Sequence, residues 1–362
     1  MDRDACAAWL RLVLTPGVGN DTARRLLAAF GLPSAIWSQS PSAWETVTNG
    51  RIARAMQTVP PSLDAAVDRL MQWLSHDCHH VVTLADSHYP SALLQTADPP
   101  PMLYVQGRLD VLTHPRQLAI VGSRNPTPQG ESNALEFARS LAQADVCVVS
   151  GLALGIDGAA HTGALEGGGT TIAVVGTGLD TVYPKRHEGL ARRIAAHGAI
   201  VSEYPLGTPP LAAHFPQRNR IIAGLSQGTL VVEAAVRSGS LITARLAAEQ
   251  GREVFAIPGS IHSPQARGCH ALIRQGAKLV ESAQDILEDL RLTEPTAASR
   301  PIPEGGEDSL LDAMGFDPVG LDALQARTGI DTPTLQARLL ELELEGRVDR
   351  LPGGLLQRSG QA

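Results

Sequence analysis

The strongest constraint on the fold is a series of short apolar runs, separated by segments with helical periodicity, in the middle of the chain. Most of the seven runs are continuously apolar rather than alternating with polar residues: 118–121, 146–149, 172–175, 199–201, 229–232, 254–257 and 277–280. Continuously apolar strands are buried on both faces, as in a parallel sheet that helices cover. The sequence therefore predicts an α/β fold with a Rossmann-like, doubly wound sheet.

The segments around this sheet divide the chain of 362 residues into three predicted domains and a linker. Residues 77–291 form the α/β domain, which two further predicted strands extend at its start. Residues 1–75 have the pattern of short helices. A linker rich in Pro, Glu and Gly follows at 292–307, and residues 308–362 carry helices followed by a β-hairpin, the order of a winged helix.

The first two predicted helices are joined by the segment Thr-Pro-Gly-Val-Gly-Asn at 15–20, with Asp21 as the expected cap of the second helix. This arrangement is typical of a helix-hairpin-helix. Such a hairpin either offers glycine amides to a DNA phosphate or serves only for packing, and an acidic cap would oppose a phosphate. Both interpretations stay open at this point.

Composition excludes several classes of protein. The net charge of -7 does not favour general electrostatic binding to nucleic acid. No run approaches 18 apolar residues, and the amino terminus carries acids where a signal peptide is basic, so we expect a cytoplasmic protein without membrane contact. The four cysteines lie far apart, which predicts reduced thiols. Three histidines at 76–80 are too close together to converge on one ion, so no metal or cofactor is predicted.

Candidate binding residues lie in the loops after the predicted strands. In a doubly wound sheet, ligands bind beyond the carboxyl ends of the strands, where helix amino termini present free N–H groups. Phe215 fits the stacking of a base of single-stranded nucleic acid or, equally, a place in the core. Glycines let a phosphate approach the backbone, and hydroxyls and guanidinium groups donate to it. The candidates are Gly122, Ser123, Arg124, Gly151, Arg218, Arg220, Ser238, Gly239 and Ser240.

Two motifs imitate enzyme signatures. The Gly-Leu-Ser-Gln-Gly segment at 224–228 matches a nucleophile elbow, but here a helix precedes the serine and a strand follows it, the reverse of the required order. The Gly-Thr-Gly segment at 176–178 partly matches a dinucleotide fingerprint, but Thr181 replaces the third glycine and Pro184 interrupts the helix start. No paired catalytic carboxylates or Walker motif occur, so we predict no catalytic residues.

Several motifs, taken in order along the chain, closely resemble the DprA/Smf family, the bacterial DNA-processing proteins of natural transformation. The resemblance covers about residues 80–290 and rests on Gly-Ser-Arg at 122–124, Ser-Gly-Leu-Ala-Leu-Gly-Ile-Asp at 150–157, Tyr-Pro at 183–184, Phe-Pro-Gln-Arg-Asn-Arg at 215–220 and Ser-Gly-Ser-Leu-Ile-Thr-Ala at 238–244. Members often have a helical, SAM-like amino-terminal domain and a carboxy-terminal winged helix, and both ends of this chain are similar to those.

The resemblance implies a non-enzymatic homodimer that binds incoming single-stranded DNA, protects it and loads RecA onto it. It adds Gln217 and Asn219 to the DNA pocket. Some relatives carry a lysine three residues before the phenylalanine, whereas this chain has Ala212. Two consequences stay open: the affinity for DNA is weaker, or another cation such as Lys185 or Arg186 supplies the missing positive charge.

Two rival functions remain. One is a nucleotide-processing hydrolase, similar to a phosphoribohydrolase, on the same type of sheet; this chain lacks the Pro-Gly-Gly of that signature. The other is a scaffold that binds RecA but has lost its affinity for DNA. The predicted winged helix holds 5 basic and 9 acidic residues between 308 and 362, so we expect it to bind protein or to stay passive.

Overall fold

The computed structural model describes residues 1–292, 309–315, 318–351 and 354–359. Apart from its first residue, the predicted linker lies outside the described residues. None of the helices in these ranges is long and apolar enough to cross a lipid bilayer.

The amino-terminal region is a cluster of six helices. Their bounds are α1 (Arg3–Leu14), α2 (Asn20–Phe30), α3 (Pro33–Trp37), α4 (Pro41–Val47), α5 (Gly50–Met56) and α6 (Leu63–Trp73). Their buried side chains share one core with Tyr104, Val175 and Ile200 of the following domain. The helical cluster is therefore packed directly onto the α/β domain.

The hairpin between α1 and α2 contacts the protein itself. The N-cap of α2 is Gly19, so the expected cap by Asp21 is wrong: the helix begins at Asn20, two residues earlier than a cap at Asp21 requires. The Asn20 side-chain amide donates to Asp98 (3.1 Å), and Arg24 donates to the carbonyl of Ala97 (2.9 Å). The positive end of α2 thus faces a carboxylate of this chain, which favours the packing interpretation.

A nine-stranded sheet forms the centre of the described structure. Its strands are β1 (His79–Thr83), β2 (Met102–Gly107), β3 (Gln117–Val121), β4 (Cys147–Ser150), β5 (Thr171–Val174), β6 (Ala199–Ser202), β7 (Gly228–Val231), β8 (Glu253–Ala256) and β9 (Lys278–Leu279). Their order is β1-β2-β6-β5-β4-β3-β7-β8-β9. Strands β3 to β9 are parallel. Beyond β6, β2 pairs antiparallel with β6, and β1 pairs antiparallel with β2. The predicted extended, doubly wound α/β fold is confirmed.

Helices cover both faces of this sheet. They are α7 (Ser91–Leu94), α8 (Pro128–Gln143), α9 (Ile156–Glu166), α10 (Glu188–His197), α11 (His214–Leu225), α12 (Ser240–Glu249), α13 (Arg267–Arg274) and α14 (Ala283–Asp289). In β3, Leu118 and Ile120 join the core under α8 and α9, whereas Ala119 and Val121 join the core under α11 and α12. Both faces of β3 are therefore buried, which explains its continuously apolar sequence.

The carboxy-terminal region is a winged helix, as predicted. It contains α15 (Ser309–Met314), α16 (Leu321–Thr328) and α17 (Thr332–Leu344), with β10 (Val319–Gly320), β11 (Val348–Leu351) and β12 (Leu355–Arg358) in the antiparallel order β10-β12-β11. Asp331 caps α17 by accepting from the amide of Thr334 (3.1 Å). Leucines of the helices pack against Val348 and Leu356 of the wing in a core of their own.

Candidate nucleic-acid interface

A pocket of about 330 Å³ lies at the carboxyl ends of the central strands. Strand β3 has β4 on one side and β7 on the other, so the chain changes direction there and leaves a crevice beyond the two strand ends. The loops after β3, β4 and β7 and the starts of α11 and α12 meet in this crevice. The pocket is lined by Val121, Gly122, Arg124, Ala153, Asp157, Phe215, Pro216, Arg218, Asn219, Ile222, Ser238, Gly239, Ser240 and Thr243.

The mouth of the pocket combines a cation with an aromatic ring. Arg124 is exposed, and its guanidinium carbon lies 5.8 Å from the centre of the Phe215 ring. Phe215 is only half-buried. Its ring also lies beside that of Tyr183, with 5.4 Å between the two ring centres. A cation over a ring is a favourable pair, and the pair leaves part of the ring open to a ligand. The structure therefore places Phe215 at the pocket surface and not inside the core.

Arg218 forms the floor of the pocket and is 4% exposed. Its Nη1 donates to the carbonyl oxygens of Gly151 (2.6 Å) and Val174, and its Nε donates to the Asn219 side chain (2.9 Å). Burial lowers the pKa of Arg218 to about 10, so the group stays protonated at neutral pH. These bonds tie α11 to the ends of β4 and β5.

Gly151 is needed because of this arginine. A Cβ at Gly151 would collide with the guanidinium of Arg218. At Gly122, by contrast, a Cβ would lie 2.6 Å from Cγ1 of Ile156, at the start of α9. Both glycines thus permit close packing within the protein, and Gly122 also lines the pocket.

Asp157, which the sequence analysis did not select, is a buried carboxylate in the pocket wall. Its Oδ2 accepts from the backbone amides of Gly151 (3.1 Å) and Ala153 (3.4 Å). Burial raises the pKa of Asp157 above its ordinary value. The positive charge of Arg218, the two amide hydrogen bonds and the charge of Arg124 oppose this shift. Asp157 is therefore the buried counter-charge of Arg218 and shapes the loop after β4.

A histidine relay fixes the same loop from the opposite side. Leu152 has a positive φ of 58°, and its amide donates to Nε2 of buried His161 (3.3 Å). The Thr171 hydroxyl donates to the carbonyl of Val148 (2.6 Å), so it accepts from Nδ1 of His161 (2.7 Å). Burial lowers the pKa of His161 to about 3. A neutral His161 satisfies every bond of this relay.

The start of α12 forms the far wall of the pocket. Gly239 is the N-cap and makes no side-chain hydrogen bond, and the hydroxyls of Ser238 and Ser240 lie 2.7 Å apart. The Asn219 side-chain amide donates to the carbonyl of Gly239 (3.4 Å), which links α11 to this turn. Hydroxyls at a helix amino terminus suit an anion.

Not every predicted residue reaches the pocket. The side chain of Arg220 pairs with Glu203 and with Asp98 (3.1 Å). Both partners belong to the α/β domain, and Asp98 also accepts from Asn20 of the helical cluster. The charge of Arg220 is thus committed to carboxylates outside the pocket, contrary to the expectation that it holds a phosphate.

The other predicted residues outside the pocket lining differ in their surroundings. Ser123 is buried, and its hydroxyl accepts from the amide of Asn125 (3.1 Å). Gln217 is exposed and accepts from the Tyr204 hydroxyl (3.2 Å). Lys185 is exposed in a short 3₁₀ helix beyond Tyr183.

Comparison with known families gives an independent result. A family model described as DNA recombination-mediator protein A matches residues 80–291, and one described as DprA winged helix domain matches residues 294–354. The chain belongs to the DprA family. A DprA-family relative named Protein Smf, from Escherichia coli (strain K12), is 41% identical over 96% of this chain and 95% of its own length.

Two solved structures of DprA proteins resemble this fold. The X-ray structure from Streptococcus pneumoniae has a TM-score of 0.69 and 38% identity, and covers 78% of this chain and 97% of its own. The Helicobacter pylori protein, whose structure is described as showing a single-stranded DNA binding mode, has a TM-score of 0.54 and 32% identity. It covers 60% of this chain and 97% of its own. The predicted family resemblance is confirmed.

Proposed function

We propose that this DprA-family protein binds single-stranded DNA in the pocket and delivers it to RecA without catalysing a reaction. One observation carries the proposal: the exposed guanidinium of Arg124 lies beside the half-exposed ring of Phe215, at the mouth of a crevice at the sheet switch point. A single strand offers a phosphate and an unpaired base together, whereas a duplex keeps its bases stacked inside. The site should therefore prefer single strands.

The binding mode follows from the donors around the pocket. Arg124 supplies the charge for a phosphate, and the hydroxyls of Ser238 and Ser240 lie at the positive end of α12. Phe215 offers a face for one base. These groups recognise backbone and ring rather than base edges, so binding should be largely independent of sequence.

The ionisable groups of the pocket support binding rather than catalysis. Oδ2 of Asp157 already accepts two backbone amides next to Arg218. The hydroxyls of Ser238 and Ser240 bond to each other, and within the part of the chain that the structure describes no histidine or carboxylate bonds to them in a way that could activate them.

Fluorescence anisotropy with a labelled oligo(dT) tests the proposal. We expect Arg124→Ala to weaken binding about tenfold and to reduce the log-log salt slope by about 0.7, the loss of one phosphate contact on a single strand. Arg51→Ala, which removes an equal charge from an exposed position on α5, is the matched control. The proposal would be refuted if the wild-type protein did not bind single strands. Release of free base from a nucleoside monophosphate would also refute it and would favour the hydrolase.

Homodimer formation and RecA loading are part of the same proposal. The family description as a recombination mediator supports RecA loading, and the homodimer is proposed from the family resemblance. Sedimentation equilibrium should give twice the chain mass. RecA should assemble faster on strands covered by single-strand binding protein when wild-type protein is present, and Arg124→Ala should lack this effect. RecA binding by a protein without affinity for DNA would instead favour the scaffold function.

We propose that the winged helix does not read DNA. Its helix α17 presents Leu340 and Leu344, which are 53% and 81% exposed, beside exposed Glu341 and Glu345. Carboxylates repel phosphates, and exposed leucines suit a protein surface. Arg350→Ala should therefore leave the affinity for oligo(dT) within twofold of wild type, and a tenfold loss would show that this domain contacts DNA.

A further inference from the structure

We infer that Glu233 is a positioning residue of the pocket: its carboxylate holds Thr127 and thereby fixes the loop that carries Arg124. That loop follows β3 and spans residues 122–127. The role rests on the proposed binding of single-stranded DNA through Arg124. A carboxylate, which by its charge alone would repel DNA, is thus assigned to hold in place the cation that binds it.

Both oxygens of the Glu233 carboxylate accept from one residue of another loop. Glu233 lies two residues after β7, and its Oε2 accepts from the backbone amide of Thr127 (2.9 Å), while Oε1 accepts from the Thr127 hydroxyl (2.5 Å). The same hydroxyl accepts from the amide of Gly130 (3.0 Å), because Thr127 is the N-cap of α8. Hydrogen bonds to an ionised acceptor are about twice as strong as those between neutral groups. The carboxylate therefore joins the loop after β3 to the loop after β7.

The backbone on both sides of Glu233 is itself fixed. The amide of Val232 donates to the carbonyl of Val121 (3.1 Å), and the amide of Ala234 donates to the carbonyl of Gln265 (2.8 Å). The side chain is also partly buried. An acceptor on a fixed backbone can hold its partner in one place, because little conformational freedom remains on its own side.

Arg124 lies between two anchored ends of its loop. At the start of the loop, the carbonyl of Ser123 accepts from the amide of Ile156 (3.1 Å). At the end of the loop, the amide and hydroxyl of Thr127 bond to Glu233. Without this second anchor, Arg124 would be less firmly held beside the aromatic ring at the pocket mouth. A binding group that is not held beforehand has to be ordered when the ligand binds, which costs affinity.

Glu233 acts from outside the pocket. Glu233 and Thr127 line a neighbouring crevice of about 730 Å³, whereas Arg124 lines the pocket itself. Glu233 therefore influences a bound strand through Arg124. Charge and position then predict opposite effects of its removal. Loss of a negative charge would by itself strengthen the binding of phosphates, whereas loss of the anchor would weaken it.

A double-mutant cycle between Glu233 and Arg124 tests this role, with labelled oligo(dT) as the probe. Glu233→Ala should weaken binding about fivefold, within the range of coupling between interacting residues. It should also lower the log-log salt slope towards that of Arg124→Ala. In the Arg124→Ala background, the same substitution should change the affinity by less than about twofold, the margin within which independent effects add. Glu233→Gln, which keeps an oxygen acceptor for the Thr127 amide, should recover most of the affinity.

Gly130→Ala breaks the same contact without changing any charge. A Cβ at Gly130 would lie 2.3 Å from Cδ of Glu233, so the carboxylate has to move away, whereas alanine favours the helix more than glycine does. We expect weaker oligo(dT) binding without a large loss of melting temperature. Gly189→Ala in α10, where a Cβ would meet no neighbouring atom within 4 Å, is the matched control. Glu131→Ala, which removes an exposed carboxylate from α8, is the control for charge.

The outcomes separate the role of Glu233 from the function on which it rests. If Glu233→Ala or Gly130→Ala binds oligo(dT) at least as tightly as wild type while Arg124→Ala is weakened, the positioning role is refuted and the proposed function stands. An equal loss on Glu233→Ala in the Arg124→Ala background would show that Glu233 does not act through Arg124, and would also refute the role. Wild-type protein that binds no single strand would overturn both.

Discussion

Replacement of Arg218 by alanine is expected to destabilise the floor of the pocket rather than to remove a phosphate contact. The side chain is buried and donates to the carbonyls of Gly151 and Val174, and Asp157 is its counter-charge. Alanine removes the Nη1 donor of both carbonyl bonds and the Nε donor to Asn219, and it leaves buried Asp157 without the positive charge that most lowers its pKa. The effect on DNA binding would then be secondary to the loss of structure.

The size of this effect follows from the two charged hydrogen bonds. Each contributes about 1.5–3 kcal/mol when buried, and removal of one partner of a buried charge pair costs about 3–5 kcal/mol. These terms overlap, so we expect the free energy of unfolding to fall by about 3–5 kcal/mol. For a domain of this size, each kcal/mol lowers the melting temperature by about 2–4 °C, and the melting temperature should therefore fall by about 6–20 °C.

Thermal melting and an oligo(dT) titration at several salt concentrations together test this reasoning. The titration is made well below the melting temperature, where Arg218→Ala is folded, and we expect its salt slope to equal that of wild type. Arg124→Ala is the matched control, with a normal melting temperature and a reduced slope. The double variant Arg218→Leu/Asp157→Asn should regain part of the lost stability, because it leaves no unpaired charge.

The opposite pattern would refute the argument. An Arg218→Ala protein that melts like wild type, with a salt slope reduced by about 0.7, would show that the guanidinium leaves its carbonyl partners and holds a phosphate. The first interpretation from sequence would then be correct.

Three further predictions concern stability. Burial lowers the pKa of His161 to about 3 in the folded protein, so below pH 6.5 the unfolded chain binds a proton that the folded chain does not. Between pH 8 and pH 5, the free energy of unfolding of wild type should therefore fall by about 2 kcal/mol relative to that of His161→Gln, as measured by denaturant titration. Parallel pH profiles for the two proteins would refute this. Gly163→Ala would place a Cβ 2.8 Å from the carbonyl carbon of Leu135 and should cost about 1–3 kcal/mol, so an unchanged melting temperature would disprove the close approach of α8 and α9. Arg220→Met leaves Glu203 buried without its cation and should lower the free energy of unfolding by about 3 kcal/mol. The double variant Arg220→Met/Glu203→Gln should restore most of this loss. Arg220→Met should also be cleaved faster by proteases between residues 75 and 100, and resistance equal to that of wild type would contradict the proposed role.

The sequence was sufficient to predict the sheet and the edge of the sheet at which the pocket lies. Each predicted run overlaps a strand. In β3 to β7 every residue is buried, and a strand buried on both faces must be apolar throughout, which is a local requirement. Gly122, Arg124 and Ser240 lie at strand ends or helix starts, and parallel strands bring such ends to one edge of a sheet. The family motifs led to the same edge.

Periodicity in α11 held a signal that the sequence analysis did not use. Phe215, Arg218, Asn219 and Ile222 line the pocket, at the spacing i, i+3, i+4 and i+7 of one helix face. Arg220 falls about 200° around the helix from Arg218, and its pairing with carboxylates outside the pocket agrees with that position.

The tertiary structure decided what each charged residue does. The sequence offers Arg124 and Arg218 alike as arginines that could donate to a phosphate. In the structure Arg124 is exposed near the Phe215 ring, whereas Arg218 is buried and donates to backbone carbonyls. The hairpin at α2 has the sequence of a phosphate-binding turn, yet it contacts Asp98, which lies far along the chain. Spacing along the chain determines local conformation and the faces of helices and strands. Burial, partners and pKa depend on residues brought together from distant segments, and only the folded chain defines them.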